Sequence, residues 1–488
     1  MKKTLCVMIT TVLLVSGAAV AWGTEANYYN EGNTGFTEAT AYIIDSVEDF
    51  NALADRVNNG QEPEGRYYKL DRNLEVSSTI GDYENKPFTG HFDGGSNRIN
   101  KNINGSASTI YRIFGYIDTD GVAIKNLQVS GNANIVYNLI SGTIQDCYVE
   151  SAIDAQGWYS DCVTGGISSI VSVNGTIQNC RFSGNITAHY YPIYASRISY
   201  AGGIAGRIEG GTVENCKVRI TDAIYAYSGE SGGSDVGQAF AGGIVGEANQ
   251  KATIKNNHVV GTIRSKQWAG GIVGYMHGGT LTGNSVHSVS AVEGNFAAGG
   301  IAGYLGGSAE ASGNAIVLDS RLSAVSRAVG GVIGQLNQAT VKNNRAYTTI
   351  TGRAAYKGKI IGEIVDSPNT IEGNYYSVDG AEYVIGYDST LRLGSNNGGT
   401  QHDPETIEDI QKDSNNSGET PSTDNTPSTD NTTDGGKTEG DNGKTDGDGT
   451  EGSEDSEGSS SDGGSSGGCN PGFGILGLMA AVIALRRK

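Results

Sequence analysis

The side chains able to do chemistry are few, and their spacing limits what chemistry that could be. Six histidines stand at His91, His189, His258, His277, His287 and His402, and none is followed by Glu. The His-Glu-x-x-His phrase that holds catalytic zinc on one helix face is therefore missing. A glycosidase needs two carboxylates at a set separation on one face. Here Glu209, Glu214 and Glu247 fall at unlike points of their segments, and Asp161 and Asp235 fall in connecting stretches. Gly202-Gly203-Ile204-Ala205-Gly206 is glycine-rich, but neither a Lys nor a helix pattern follows it, so it reads as packing rather than a phosphate cradle. No catalytic residues, metal ligands or cofactor site are expected. Six cysteines remain, without a Cys-x-x-Cys pair for zinc: Cys6, Cys147, Cys162, Cys180, Cys216 and Cys469.

What positions these residues is a repeat. A Gly-Gly-Ile-x-Gly phrase recurs at Gly165-Gly166-Ile167, Gly202, Gly242, Gly270, Gly299 and Gly330, with a decayed copy at Ile361-Gly362-Glu363-Ile364. A Thr-Ile-x-Asn-Cys or Thr-Ile-x-Asn-Asn phrase, or a relaxed copy, follows each of these seven, and one more copy precedes the first. It ends at Cys147, Cys180, Cys216, Asn257, Asn284, Asn314, Asn344 and Asn374. Periods near 30 residues mean stacked supersecondary units that cannot bury a face alone. The phrases are short β-branched runs with period-2 alternation, and residues 1–400 contain only four Pro. The expected fold is all-β: a right-handed parallel β-helix of about 8–9 laps. In-register stacking makes the Ile positions one internal ladder and the Cys/Asn positions another. The glycines mark corners where φ is positive or backbones approach closely.

Stacking puts Cys147, Cys180 and Cys216 on one ladder, about 4.8 Å apart and within reach of a disulfide, with Cys162 in a connection. They can bridge or pack as stacked buried thiols. Three laps are also interrupted at one corner, at 154–163, 187–200 and 221–240. These insertions carry Trp158, Tyr159, Tyr190, Tyr191, Tyr194, Tyr200, Tyr225 and Tyr227, with Trp268 one lap on. Insertions on one solenoid face often form its binding surface, and Tyr and Trp give contact area at low entropy cost. The alternative is that they merely cover the sheet.

Around the repeats the chain divides into a signal peptide (1–21), a front module (28–105), the laps (106–378), the solenoid end (379–400), a linker (401–468) and a C-terminal segment (469–488). The first has Lys2-Lys3, an apolar run and Ala19-Val20-Ala21, which implies export by signal peptidase with cleavage after Ala21. The front module contains one amphipathic helix, with Ser46 as N-cap, Val47, Phe50, Leu53, Ala54 and Val57 as its apolar stripe, and Gly60 as its end. It should cover the open edge of the first lap. The linker holds 18 acidic and 3 basic residues of a chain whose net charge is −19. Such a stretch is an acidic, disordered stalk, and such a chain is a poor nucleic-acid binder. Residues 473–485 are apolar but too short for a full helical span, and Arg486-Arg487-Lys488 closes the chain.

Two resemblances add to this. The order Ala41-Tyr42-Ile43-Ile44, helix, Tyr68-Lys69-Leu70, Phe88-Thr89-Gly90-His91-Phe92-Asp93-Gly94, then Gly-Gly-Ile-x-Gly laps resembles the GLUG-repeat family over residues 28–378. That resemblance implies a bacterial surface protein, such as an adhesin or the non-catalytic region of an IgA-cleaving metallopeptidase; it departs from the family in its three Cys laps and its insertions. Gly467-Gly468-Cys469-Asn470-Pro471-Gly472-Phe473-Gly474, the apolar run and the basic tail resemble a Synerg-CTERM sorting signal. This implies a membrane sorting protease acting near Gly468 and Cys469, with membrane contact through this segment alone. The expected function is an envelope-anchored, adhesin-like binder of glycan or protein. A β-helix carbohydrate-active enzyme and a purely structural coat protein are the alternatives.

Overall fold

The computed structural model describes residues 33–101, 111–157, 160–191, 197–229, 237–288, 291–318, 321–389, 393–395 and 397–401. The segments expected to be a signal peptide, a linker beyond Gln401 and a sorting signal, with Ala21, Gly468 and Cys469, lie outside them. So do Trp158, Tyr159, Tyr194 and Asp235.

The chain is a parallel β-helix. Its described strands form a 26-stranded and a 14-stranded sheet, and all but Leu393–Ser395 pair in parallel with a counterpart one lap away. One lap shows the plan. Ile198–Gly202, Ala205–Glu209 and Thr212–Glu214 run along the larger sheet, and Lys217–Ser228 returns along the smaller one. Residues 106–378 place nine successive levels in the smaller sheet. Two more precede them, at Leu74–Glu75 and Arg98–Lys101, and one follows, at Gly399–Gln401. The front module is thus coiled into the same ladders rather than set beside them, with Tyr42–Ile44, Tyr67–Leu70 and His91–Asp93 as its larger-sheet strands. Its helix, Val47–Asn58, is capped by the Ser46 side chain accepting from the Asp49 N–H at 3.1 Å. The helix turns Phe50, Leu53, Ala54 and Val57 into the core, the stripe its sequence spells. At the other end Leu393–Ser395 pairs antiparallel with Tyr383–Asp388, a reversal that breaks the parallel edge.

Two ladders hold the coil. Ile167, Ile204, Ile244, Ile272, Ile301, Val332 and Ile360 are all fully buried, and each of the first six donates its N–H to the carbonyl of the next at 2.8–3.0 Å. Burial of each such side chain contributes about 1.5–3 kcal/mol. The last of them shifts the decayed phrase: Gly358 pairs with Gly330 and Gly362 with Gly334 as one lap advances to the next, so the copy starts at Gly358, not Ile361. The second glycine of each phrase is there for backbone approach, not for positive φ. A Cβ on Gly271 would stand 2.0 Å from the Gly300 carbonyl oxygen, and one on Gly243 would stand 2.2 Å from that of Gly271.

Left-handed backbone occurs instead at the residue before the second ladder: Asn126, Asp146, Asn179, Asn215, Asn256, Gly283, Gly313, Asn343 and Gly373, with φ between 52° and 65°. Asn, Asp and Gly are the residues that tolerate it. From Asn257 on, the ladder itself is an asparagine stack. Asn284, Asn314, Asn344 and Asn374 each accept, at Oδ1, both the side-chain amide and the backbone N–H of the preceding ladder residue, at 2.9–3.0 Å. Each amide also donates to a core carbonyl, as Asn314 does to Leu281 at 3.0 Å. Buried amides are thereby satisfied without water.

Candidate ligand-binding face

The three aromatic insertions are only partly loops. Strands of the smaller sheet continue through Tyr148–Gly157, Arg181–Tyr190 and Lys217–Ser228, into the first part of each insertion. Alternation then decides which rings face out. Phe182, Gly184, Ile186, Ala188 and Tyr190 point inward, and Tyr190 is fully buried. Tyr190 is therefore a core residue, which corrects its expected place in the binding edge. On Lys217–Ser228 the inward set is Ile224, Ala226 and Ser228, so Tyr225 and Tyr227 face solvent, half-buried.

These outward rings gather. His189 is one level below Tyr227, and Thr187 is one level below Tyr225. The His189 ring lies 3.8 Å from that of Tyr191 and 4.3 Å, edge-on, from that of Tyr227. Tyr225 and Tyr227 are 6.0 Å apart. The Lys266 ammonium lies 5.0 Å from the Tyr227 ring centre, an attractive cation–ring contact. Arg264 stands on the level above Tyr225, exposed, and bonds Glu293 at 2.9 Å, a carboxylate that Arg321 also meets at 2.9 Å. Asp154 and Gln156 complete the grid one level below Thr187 and His189. Partial burial lowers the His189 pKa against the opposing pull of Asp154, which favours a neutral ring at neutral pH. Burial, then the neighbouring Tyr227, raises that of the Tyr225 hydroxyl, keeping it a donor. The face is a set of rigid rings ringed by hydroxyl, amide and cationic groups.

Trp268 is not part of it. It sits on the outside of the larger sheet, below Ala297 and Ala328 in register, and these small residues leave room for the indole to lie along the axis. Its Nε1 donates to Gln335 Oε1 at 2.9 Å, and its ring meets Phe240 at 5.4 Å and Phe296 at 5.0 Å. Tyr275 and Tyr304 stack there in parallel, 4.3 Å apart. Tyr200 is likewise buried, against Phe240 at 5.5 Å. With Phe240 stacked on Tyr275 at 4.8 Å and Trp268 edge-on to both, the strip packs as one row of rings. Sequence reasoning grouped Tyr200 and Trp268 with the expected binding edge and missed Phe240, although the three hold one position of three laps.

The carboxylates considered for catalysis occupy separate positions and are paired. Glu247 meets Arg207 at 3.0 Å, Glu209 meets Arg207 at 3.2 Å, and Glu214 meets Lys255 at 2.6 Å. Glu363, in the Glu247 column, is four levels away and held by Arg327. That is about 19 Å, beyond the separation either glycosidase geometry uses. Asp118 and Asp120 do share an open cleft of about 380 Å³ with Ser141, Thr143 and Asn174. Both are exposed, and Asp118 bonds the Ser141 hydroxyl at 2.5 Å.

Cys147, Cys180 and Cys216 are free, fully buried thiols on the ladder expected for them. The ladder begins one lap earlier, at Leu127. Each thiol donates to the carbonyl two residues before it, Gln145, Gln178 and Glu214 in turn, at 3.1–3.3 Å. Burial raises the thiol pKa of Cys147 and Cys216 well above its usual value. Cys162 is buried apart from the ladder, donates to the Ala155 carbonyl at 3.3 Å, and is pushed up to about 12 by burial.

No family model matches the chain, and no curated protein matches it. Among solved structures it is similar to a "putative immunoglobulin A1 protease" from Bacteroides ovatus, at 17% identity and a TM-score of 0.38, over 71% of this chain and 86% of that one.

Proposed function

We propose that the chain is an exported, envelope-displayed solenoid of the GLUG-repeat kind that binds a glycan through the outer face of its smaller sheet. What carries this reading is the convergence of Tyr191, Tyr225, Tyr227 and His189 from two consecutive laps onto one solvent-facing patch. Flat rings bordered by Thr187, Gln156 and Asp154 suit a sugar, whose apolar face stacks and whose hydroxyls need donors and acceptors. Arg264 and Lys266 stand on the same outward face within a chain of net charge −19, and they favour an acidic sugar. The acidic linker and the C-terminal segment are read as stalk and sorting signal, which would hold this face away from the envelope with cleavage near Cys469.

The test is a glycan array with the wild type and two variants. Tyr225→Ala with Tyr227→Ala should lower retention on acidic glycans at least tenfold and leave the melting temperature within about 2 °C. Tyr190→Ala should lower the melting temperature instead, because it empties a core site. Binding that survives the double substitution sinks the assignment of the face. Cleavage of a polysaccharide, lost in Asp118→Asn or Asp120→Asn, would replace it with the enzyme reading.

A further inference from the structure

The later laps show that asparagine fills the second ladder completely. Its Oδ1 takes the N–H of the lap before, and its amide donates both forward and to a core carbonyl. The junction presents no obstacle, since the Cys216 N–H reaches Asn257 Oδ1 at 2.9 Å. A thiol is a weaker donor and acceptor in the same place. The three S–H groups reach the local carbonyls of Gln145, Gln178 and Glu214 at 3.1–3.3 Å, and those of Cys180 and Cys216 reach the core carbonyls of Ile144 and Ile177 only at 3.6 and 3.8 Å, against 2.9–3.1 Å for the asparagine amides. Cysteine at three consecutive ladder positions therefore needs a property that asparagine lacks, and covalent bonding is that property.

The register supplies the geometry. Gln145, Gln178 and Glu214 are level with one another, as are Tyr148, Arg181 and Lys217, so the three cysteines between them stand directly in line. Neighbouring strands lie about 4.8 Å apart, inside the Cα range of about 4.4–6.8 Å that a disulfide accepts. Cys180 stands one level from Cys147 on one side and one level from Cys216 on the other. Cys147 and Cys216 are two levels apart, about 9.6 Å, and cannot reach each other. We infer that the thiol ladder is a cross-linking site in which Cys180 is the obligatory partner, joined to Cys147 or to Cys216, with the third thiol left reduced. This goes beyond the binding reading and draws on it only for an oxidising location.

The chemistry is an exchange. One ladder thiolate, its proton lost to solvent, attacks an oxidant that carries a disulfide, such as a thiol–disulfide oxidoreductase or an oxidised low-molecular-weight thiol, and expels one of its thiolates. The second ladder thiolate then attacks the mixed disulfide and expels the other. Two protein thiols are oxidised, one oxidant disulfide is reduced to two thiols, and two protons pass to the departing thiolates. All three sulfurs are buried in the closed coil, so the exchange takes place while the laps are still open. The bond would staple the levels of Tyr148–Gly157, Arg181–Tyr190 and Lys217–Ser228, which carry the proposed ligand face.

The test refolds the full chain from its reduced, denatured state in a glutathione redox buffer, which supplies the oxidant whatever the location in the cell. Alkylation and peptide mapping then read each cysteine on its own peptide. Expected are bridges from Cys180 to Cys147, to Cys216 or to a mixture of the two, with Cys162 alkylated. Cys180→Asn should leave Cys147, Cys162 and Cys216 all alkylated. Four alkylated core cysteines in the wild type would overturn the inference, as would a bridge from Cys147 to Cys216 or to Cys162. Neither result would touch the glycan assignment, whose failure shows on the array alone.

Discussion

Two stretches of this coil use the same corner and the same Ile ladder yet differ in almost everything else. Across the cysteine laps the smaller-sheet strands are 10–12 residues long. Across the asparagine laps they are 4–8 residues, such as Ala315–Leu318 with Arg321–Ala324, and the ladder residues repeat every 30 positions from Asn284 to Asn374. In the second stretch each ladder residue is bonded on both sides and to the core, so register is set by hydrogen bonds as well as by packing. In the first stretch the sulfurs give weaker bonds, and the longer strands carry outward rings that the coil does not need. Regularity holds one half in register, and irregularity in the other makes room for a ligand face.

The largest effect should fall on the feature both halves share. Gly271→Ala would put a Cβ 2.0 Å from the Gly300 oxygen, and Gly166→Ala one 2.3 Å from both the Gly203 oxygen and the Phe182 ring. Backbone cannot yield as a flexible side chain can, so each should cost about 4 kcal/mol or more in urea unfolding. A mild result at either glycine would mean that the corner is not common to the two halves.

The next effect should separate them. Asn314→Ala strands the Asn284 N–H and one of its amide hydrogens, and it leaves the Leu281 carbonyl without its amide donor. The expected cost is about 3 kcal/mol, against about 1–2 for Asn314→Cys, which restores a weak acceptor. Cys180→Ala removes weaker bonds and a small volume and should cost about 2 kcal/mol in the reduced protein. Equal costs for Asn314→Ala and Cys180→Ala would erase the energetic distinction between the stretches.

How much of this could be read in the letters depends on how local the signal is. The Gly-Gly-Ile laps and the inward Ile ladder were legible because each phrase repeats its own neighbours. Leu127 was missed because it holds the ladder position with neither Cys nor Asn, although Asn126 before it keeps the left-handed turn. Gly358 was missed because Lys359 replaces the second glycine, and the backbone approach survives one lap back, where a Cβ on Gly331 would stand 2.1 Å from the Lys359 oxygen. Tyr190 was placed outside because residues 187–200 read as an insertion. Carrying the alternation on from Phe182, Ile186 and Ala188 would have put it inside. The grouping of Tyr191 with Tyr227, and the parting of both from Trp268, follow from lap register and side-chain reach across two sheets, which no local pattern encodes.

The smallest of the expected effects probes the boundary between the halves. His258 follows the first ladder asparagine, and its N–H donates to the Cys216 carbonyl at 2.9 Å. Its ring lies on the outer face of the smaller sheet, with Nδ1 at 2.9 Å from the Ser285 hydroxyl. Lys217 stands one level before it and the His287 ring is 5.2 Å away. Burial, then these two neighbours, lowers its pKa to about 4. In the unfolded chain it titrates near 6.5. The unfolded state therefore takes up the proton first as pH falls. Stability associated with His258 is fully present above about pH 6.5, declines from there toward pH 4, and is flat below that, a loss of about 2 kcal/mol once the ring's partial exposure is allowed for. Carboxylates titrate in the same window, so the measurement is a difference: urea unfolding of wild type and His258→Gln at several pH values. The gap between the two should change by that amount across the window if the junction is a dry, closely packed step between ladders. A gap that stays constant would mean that water reaches the ring, and that the asparagine half does not begin as tightly as its hydrogen bonds imply.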